Sequence, residues 1–259
     1  MMLIKIFLLG LLALVVPSEP PWAADGQSGS GLVVQSPPEG MVLVPAGSGI
    51  EWWEGKVIGK WRVKSPFFID KFEITVGDYF EYLEPKREIR KRDLAPAYFE
   101  QADLDKHSKF PVVGVTWRQA LLYCKSIEKR LPTNVEWMMA SLRKEDLVAG
   151  PGGTARFNEN VLGKNQSSTK VELKRPFFVY DQGLTAVGSD ESDVSAYGVK
   201  DMGGSVSEWV EWTNRDFPTR RIFGRYSKRL GSNFFLTTEL EDHGGRYWLG
   251  FRCAKDVTE

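Results

Sequence analysis

Two cysteines, Cys124 and Cys253, limit most strongly how this chain can fold. Near the N-terminus, an apolar run from Ile6 to Val16 follows Lys5, a pattern typical of a secretion signal. Export would place both thiols in an oxidising compartment. Their only possible pairing would then close a loop of about 130 residues and tie the middle of the chain to its end. The alternative is two separately buried thiols.

The N-terminal run predicts where the protein resides. It is shorter than the roughly 20 apolar residues that a membrane-spanning helix needs. Ala23 and Ala24 offer a cleavage point before Asp25. We therefore expect a signal peptide over residues 1–24, a flexible Gly-, Ser- and Pro-rich lead-in over 25–39, and one folded domain over 40–259. The mature protein would be periplasmic or extracellular, with no integral membrane span, and an uncleaved anchor is the alternative.

The charge balance argues against polyanionic partners. The chain has 34 basic and 34 acidic side chains, a formal net charge of zero. Such a balance argues against a general electrostatic grip on nucleic acid or on an anionic membrane surface. An apolar content of 42% and nine tryptophans are ample for a sizeable core.

Three threonines predict the starts of helices. Thr116 is followed three residues later by Gln119, and Thr133 by Glu136, the spacing of a capping box. Thr75 is followed by Asp78, whose side chain is shorter than the box normally requires.

Helical spacing after Thr116 predicts which way one cysteine points. It puts Ala120, Leu121, Cys124 and Ile127 on one apolar face, so Cys124 should point into the core. Short strand-like runs occur elsewhere, as in "MVLVPAG" from Met41, and long irregular segments lie between them. The sequence therefore predicts a single α+β domain with little regular secondary structure and long loops.

Several ordered motifs resemble those of the formylglycine-generating enzyme (sulfatase-modifying factor) family. They are "MVLVPAG", "PFFIDKFEITVGDYFEYL", "PVVGVTWRQALLYCKSIEKRLPTNVEWMMAS", "YGVKDMGGSVSEWVEW" and the final "GFRCA". The resemblance covers residues 40–256. It implies an elaborated C-type-lectin-like fold and a disulfide between Cys124 and Cys253.

The resemblance also implies a structural calcium site in "DMGGSVSEWVEW". The ligands would be the side chains of Asp201 and Glu208 and the backbone carbonyls of Gly204 and Val206. Oxygen ligands on a glycine turn suit calcium. Many relatives have asparagine where this chain has Asp201 or Ser205, and aspartate is at least as good a ligand. Trp209 and Trp212 would face the core. A metal-free turn held by hydrogen bonds is the alternative.

The family's oxidase chemistry is expected to be absent. Its enzymes bind copper through two cysteines, because thiolates are the soft ligands that Cu(I) prefers. The corresponding positions here are Phe235 and Leu240, which cannot bind copper. The segment from residue 231 to 250 is also shorter than in the oxidases. We therefore expect calcium and no copper in this chain.

Two functions from different classes remain open. The first is a pseudoenzyme: an exported, non-catalytic binding or accessory module for a protein or glycan partner. Its candidate surface includes the following residues: Trp52, Trp53, Phe235, Glu241, His243 and Arg246. The second is an enzyme of different chemistry, an oxidoreductase or maturation factor, built around Glu241, His243 and Arg246.

Overall fold

The computed structural model describes most of the predicted domain. The described residues are 36–53, 56–86, 91, 93–144, 154–158, 179–181, 183–211, 221–223 and 246–258. The strands are β1 (Met41–Val44), β2 (Gly47–Trp53), β3 (Lys56–Val63), β4 (Phe67–Asp70), β5 (Thr154–Asn158), β6 (Ser207–Val210), β7 (Arg221–Phe223), β8 (Leu249–Gly250) and β9 (Ala254–Asp256). The α-helices are α1 (Val76–Leu83), α2 (Leu104–His107), α3 (Trp117–Ser126) and α4 (Asn134–Ala140), and short 3₁₀ turns lie at Phe99–Gln101 and Val179–Asp181.

All three threonine-led helix starts are confirmed. The side chains of Thr75, Thr116 and Thr133 accept a hydrogen bond from the backbone three residues on, at the start of α1, α3 and α4. Asp78 also completes its box, since its carboxylate accepts from the Thr75 backbone N–H at 2.9 Å. The shorter acid therefore reaches the cap, which the sequence rule left in doubt.

The prediction for the apolar face of α3 is partly wrong. Ala120 and Cys124 are fully buried and Leu121 packs against the core, as expected. Ile127, however, is 39% exposed, because α3 ends at Ser126 and Ile127 is its C-cap residue. Tyr123 takes the place on the buried face that Ile127 was expected to fill.

Three small sheets, each of three strands, form the β part of the described structure. Their strand orders are β1-β4-β9, β3-β2-β5 and β7-β6-β8. Short strands in several small sheets, together with short helices, confirm the α+β class with few regular elements. Within the described residues no helix is both long and apolar enough to cross a membrane.

The predicted disulfide is present. Cys124 in α3 is bonded to Cys253, which precedes β9, across a sequence separation of 129 residues. Both residues are fully buried in one apolar cluster, where aromatic rings of Tyr79, Tyr123 and Phe251 pack against each other. The bond therefore joins the helical middle of the chain to its C-terminal strand inside the core.

We expect removal of this disulfide to destabilise the domain substantially. Replacing Cys124 and Cys253 together with serine should lower the free energy of unfolding by about 2–5 kcal/mol, because the unfolded chain loses a long covalent loop. Urea unfolding of oxidised protein and double variant measures the difference. Mass spectrometry of the unreduced protein should show the linked peptides, and two alkylatable thiols in the folded wild type would contradict the bond.

Candidate functional site

The loop from Asp201 to Val206 turns sharply before strand β6. Asp201 and Ser205 have φ angles of 62° and 63°, in the left-handed region that Asn, Asp and Gly tolerate best. The backbone N–H of Gly203 donates to both carboxylate oxygens of Asp193, at 3.1 and 3.0 Å. A Cβ on Gly203 would lie 3.2 Å from that carboxylate. A glycine here therefore lets the loop backbone bind Asp193 closely.

Glu208 lies directly beyond this loop, in β6, with a fully buried carboxylate. Its Oε2 atom accepts hydrogen bonds from Arg252 Nε at 2.8 Å and from the Trp137 indole N–H at 2.9 Å. Its Oε1 atom accepts from Arg252 Nη2 at 2.7 Å. The carboxylate and the guanidinium thus form a bidentate ion pair that is buried away from water. This is the geometry in which an arginine interacts most strongly with a carboxylate.

Arg252 is fully buried, and its other donors are also used. Nη1 donates to the carbonyls of Asp70 and Lys71, both at 3.3 Å, and Nη2 donates to the carbonyl of Lys200 at 3.1 Å. With the two bonds to Glu208, these contacts occupy all five N–H groups of a guanidinium. Burial lowers the pKa of Arg252, but Glu208 and the neighbouring acids outweigh it, so the net shift is upward. The side chain therefore stays charged.

Glu73 is a second buried acid beside Arg252, and these two residues form a buried cluster of charges with Glu208. Glu73 is 2% exposed, and neither carboxyl oxygen has a hydrogen-bond partner within the described structure. Arg252 Nη2 lies 3.7 Å from Glu73 Oε2, but its N–H groups are already used by other acceptors. Burial raises the pKa of Glu73 well above its ordinary value, Arg252 opposes the rise, and Glu208 and Asp201 add to it. Glu73 therefore favours its neutral acid form.

Asp201 adjoins this cluster. Burial raises the pKa of Asp201, whereas the Gly188 backbone N–H, which donates to Oδ2, and the charge of Arg252 lower it. Protonation of Glu73 would remove one of the buried negative charges that repel each other beside Asp201. The loop is thus lined by acids that are balanced in part by Arg252.

The predicted calcium ligands can be compared with this geometry. The two bonds to Oε2 of Glu208 fill its two lone pairs, but Oε1 accepts only one hydrogen bond and keeps one lone pair. The donor set therefore fits calcium only if Glu208 binds through a single oxygen. Among the described residues there is no group of three or more His, Cys, Asp or Glu side chains that could hold a metal. Calcium remains a prediction that depends on the Gly204 and Val206 carbonyls as well.

The structure describes only part of the predicted binding surface. Trp52 and Trp53 lie at the end of β2, where their backbones pair with Val57 and Lys56 of β3. Arg246 is exposed, with its guanidinium 5.9 Å from the Trp248 ring centre. Phe235, Leu240, Glu241 and His243 lie outside the described residues, as does Trp212.

Trp209 has the inward position predicted for it. It is buried, and its indole N–H donates to the Val115 carbonyl at 2.9 Å.

The sequence interpretation missed the residues that form the centre of this cluster. Arg252 is the only charged residue of the apolar motif "GFRCA", whereas Glu73 shares "FFIDKFEIT" with Asp70 and Lys71. A single charge inside a buried strand-like run is rarely left without a counter-charge. The isolation of Arg252 was therefore an available signal that it has oppositely charged neighbours within the fold, and Glu73 gave no such signal.

We expect Arg252→Lys to cost far more stability than a similar change at a partly exposed arginine. Lysine has three N–H donors on a single nitrogen, so it cannot bind both oxygens of Glu208 and also donate to three carbonyls. Lysine keeps the charge, but two of the five buried acceptors would lose their donors at about 1–3 kcal/mol each, so the free energy of unfolding should fall by about 2–6 kcal/mol. Urea unfolding followed by tryptophan fluorescence measures this loss.

The matched control is Arg130→Lys. Arg130 binds Glu136 at 2.7 Å and also Asp256, but it is 26% exposed and Asp256 is 74% exposed. Its replacement should cost about 1 kcal/mol or less, because water replaces much of the lost interaction. Equal losses in the two variants would show that Arg252 has no special role.

Comparison with known proteins identifies the family to which this chain belongs. The profile described as "Sulfatase-modifying factor enzyme 1-like domain" matches residues 31–257. A protein named serine/threonine-protein kinase pkn1, from Chlamydia pneumoniae, is 29% identical over 265 residues, which cover 84% of this chain and 38% of that protein. A formylglycine-generating enzyme from Thermomonospora curvata is 28% identical over 178 residues, 56% of this chain and 55% of the enzyme.

A solved structure shows the same fold. The structure of PvdO from Pseudomonas aeruginosa aligns with a TM-score of 0.51 over 84% of this chain and 94% of PvdO, at 16% identity. At that identity the likeness concerns the fold alone. The profile match, in contrast, spans most of the sequence and includes every motif that carries the resemblance. The chain belongs to the FGE-sulfatase family, the family of sulfatase-modifying factor enzyme 1-like domains.

Proposed function

We propose that this chain is an exported, non-catalytic binding or accessory module of its family. One observation carries the proposal: the chain has only two cysteines, and both form the buried bond between Cys124 and Cys253. Copper chemistry of the formylglycine-generating type needs free thiolates. A cysteine committed to a core disulfide cannot supply one while the domain stays folded.

The aligned positions of the copper ligands support the same proposal. Phe235 and Leu240 correspond to the two cysteines of the oxidases, and neither side chain has an atom that can bind a metal. The described part of the chain nevertheless has a core disulfide, capped helices and a buried ion pair. A fold kept without its reactive groups is consistent with a role in recognition.

The proposal of export rests on the N-terminal segment. The charged and apolar run of residues 5–16 lies outside the described structure, so its support comes from the sequence. A disulfide buried in the core is compatible with folding in an oxidising compartment.

The relatives support a modular role. The chain spans 38% of the kinase-named relative and 55% of the formylglycine-generating enzyme that it matches. In the first of these the matching region is therefore a minor part of a longer protein. A domain that occurs within longer proteins is suited to binding, because its loops can present binding residues on a rigid scaffold.

We expect the purified protein to leave a cysteine peptide of the sulfatase type unoxidised under oxygen with Cu(I). The formylglycine-generating enzyme of the family serves as the positive control on the same peptide. Mass spectrometry of the peptide detects loss of the thiol and gain of the aldehyde. Aldehyde formation by this chain would overturn the proposal and show that the chain is a catalyst.

Calcium is proposed as a structural ligand of the loop, held by Asp201, Glu208 and the carbonyls of Gly204 and Val206. When bound, it would cross-link the loop to strand β6. Because a metal that binds only the folded state stabilises it by mass action, the melting temperature should rise with calcium and fall with chelator.

Asp201→Asn is the informative variant for this prediction. Asparagine tolerates the positive φ at this position and keeps an oxygen for the Gly188 N–H, but it removes the charge. Its response to calcium should be weaker than that of the wild type. Glu208→Gln is a poor choice, because it would also leave Arg252 without its counter-charge. Identical melting curves of the wild type with calcium and with chelator would contradict the site.

A further inference from the structure

One face of strand β3 carries a row of positive charge. Lys60 and Arg62 in β3 and Lys64 directly after it are exposed, whereas the intervening Trp61 and Val63 are buried. Alternate residues of a strand point to the same face, so the three cations lie on one face. Within the described part of the chain, none of the three makes an ion pair or a hydrogen bond through its side chain.

An open groove of about 850 Å³ runs beside this row. All residues from 60 to 67 line it in succession. Of these, residues 60–63 belong to β3, and because successive residues of a strand alternate between its two faces but share its edge, the groove borders the edge of β3 there. In its sheet β3 is the outer strand, with β2 on its other side, and so its outer edge has no neighbouring strand within the described structure.

The opposite wall of the groove has two acids, which share one arginine. It is formed by the start of α4 and by the C-terminal residues Asp256 and Val257. Of its two acids, Glu136 is bound by Arg130 at 2.7 Å, and Asp256 is bound by the same guanidinium. The groove therefore has three positive charges along β3 and one net negative charge across from them, so it is positive on balance, although the whole chain has no net charge.

We propose that this groove binds an extended acidic segment of a partner protein, which adds to the free edge of β3 as a further strand. Cations two residues apart on a strand are about 6.7 Å apart, and acids at alternate positions of an extended peptide have the same spacing. Side chains directly opposite each other on paired strands interact, and opposite charges there are favourable. Strand addition supplies affinity through the backbone, and the row of cations supplies selectivity. The inference rests on the proposed binding function and names its partner chemistry and its surface.

Exposed lysine on an edge strand can also serve only to keep edges from pairing with each other. The test must therefore ask whether the spacing and the backbone of a ligand matter. The probes are two fluorescein-labelled octapeptides of the same composition, one alternating glutamate with threonine and one with four glutamates followed by four threonines. Fluorescence anisotropy measures both against the full-length protein. The alternating peptide should bind at least about tenfold more tightly, since only its acids can match the cations one by one.

Charge reversal locates the site. Lys60→Glu, Arg62→Glu and Lys64→Glu together should abolish binding of the alternating peptide. The matched control reverses three exposed cations that do not line the groove: Lys109, Arg118 and Lys125. It changes the net charge equally and should bind nearly as well as the wild type. Should the groove triple variant fold poorly, Arg62→Glu alone, at the centre of the row, should still weaken binding about tenfold or more.

A version of the alternating peptide with methylated backbone nitrogens separates strand addition from simple charge attraction, and it should lose most of its affinity. The proposal is overturned if the two octapeptides bind equally, if neither binds, or if the control triple variant loses binding as the groove variant does. It is also overturned if a sulfated oligosaccharide binds the groove and methylation of the peptide has no effect. Failure here with the cysteine peptide still unoxidised would remove this partner while leaving the proposed non-catalytic function in place.

Discussion

The buried ion pair between Arg252 and Glu208 is the interaction on which the rest of this structure depends. Arg252 comes from the C-terminal motif, and its guanidinium binds β6 through Glu208, the end of β4 and Lys71 through two carbonyls, and the segment before Asp201 through a third. Strands as short as these bury little surface individually. A side chain that binds several segments at once therefore contributes what a longer sheet would supply through its own hydrogen bonds. The disulfide lies one residue away, at Cys253, and reinforces the same junction.

Local features of the fold could be predicted from the sequence. The three helix starts depend on a threonine and an acceptor three residues later, and all three are present. The disulfide could be predicted because only one pairing exists. The exposure of Ile127 could not, since where α3 ends decides it, and helical spacing does not show that end.

The buried cluster of Glu73, Arg252 and Glu208 was harder to predict for a physical reason. Glu73 and Arg252 are far apart in the sequence, and their proximity arises only when β4, β6 and the C-terminal motif pack together. The calcium ligand set came from resemblance, which identifies residues but not the hydrogen bonds that they already make. The structure adds that Glu208 is largely committed to Arg252 and Trp137. The positive groove beside β3 escaped notice for a similar reason, because a net charge of zero conceals a local row of cations.

The internal ion pair stabilises the fold without any reactive group, and the proposed binding role requires only that the fold be stable. The most direct test of the account is a double-mutant cycle on Arg252 and Glu208. It compares the free energies of unfolding of Arg252→Met, Glu208→Gln, the double variant and the wild type. We predict that each single change lowers the free energy of unfolding strongly, because it leaves the other member of the pair as a buried charge without its partner. The double variant should lose much less than the sum of the two single losses, because it removes both charges of the pair. Additive effects of the two changes would show that the pair does not hold these segments together, and would contradict the account.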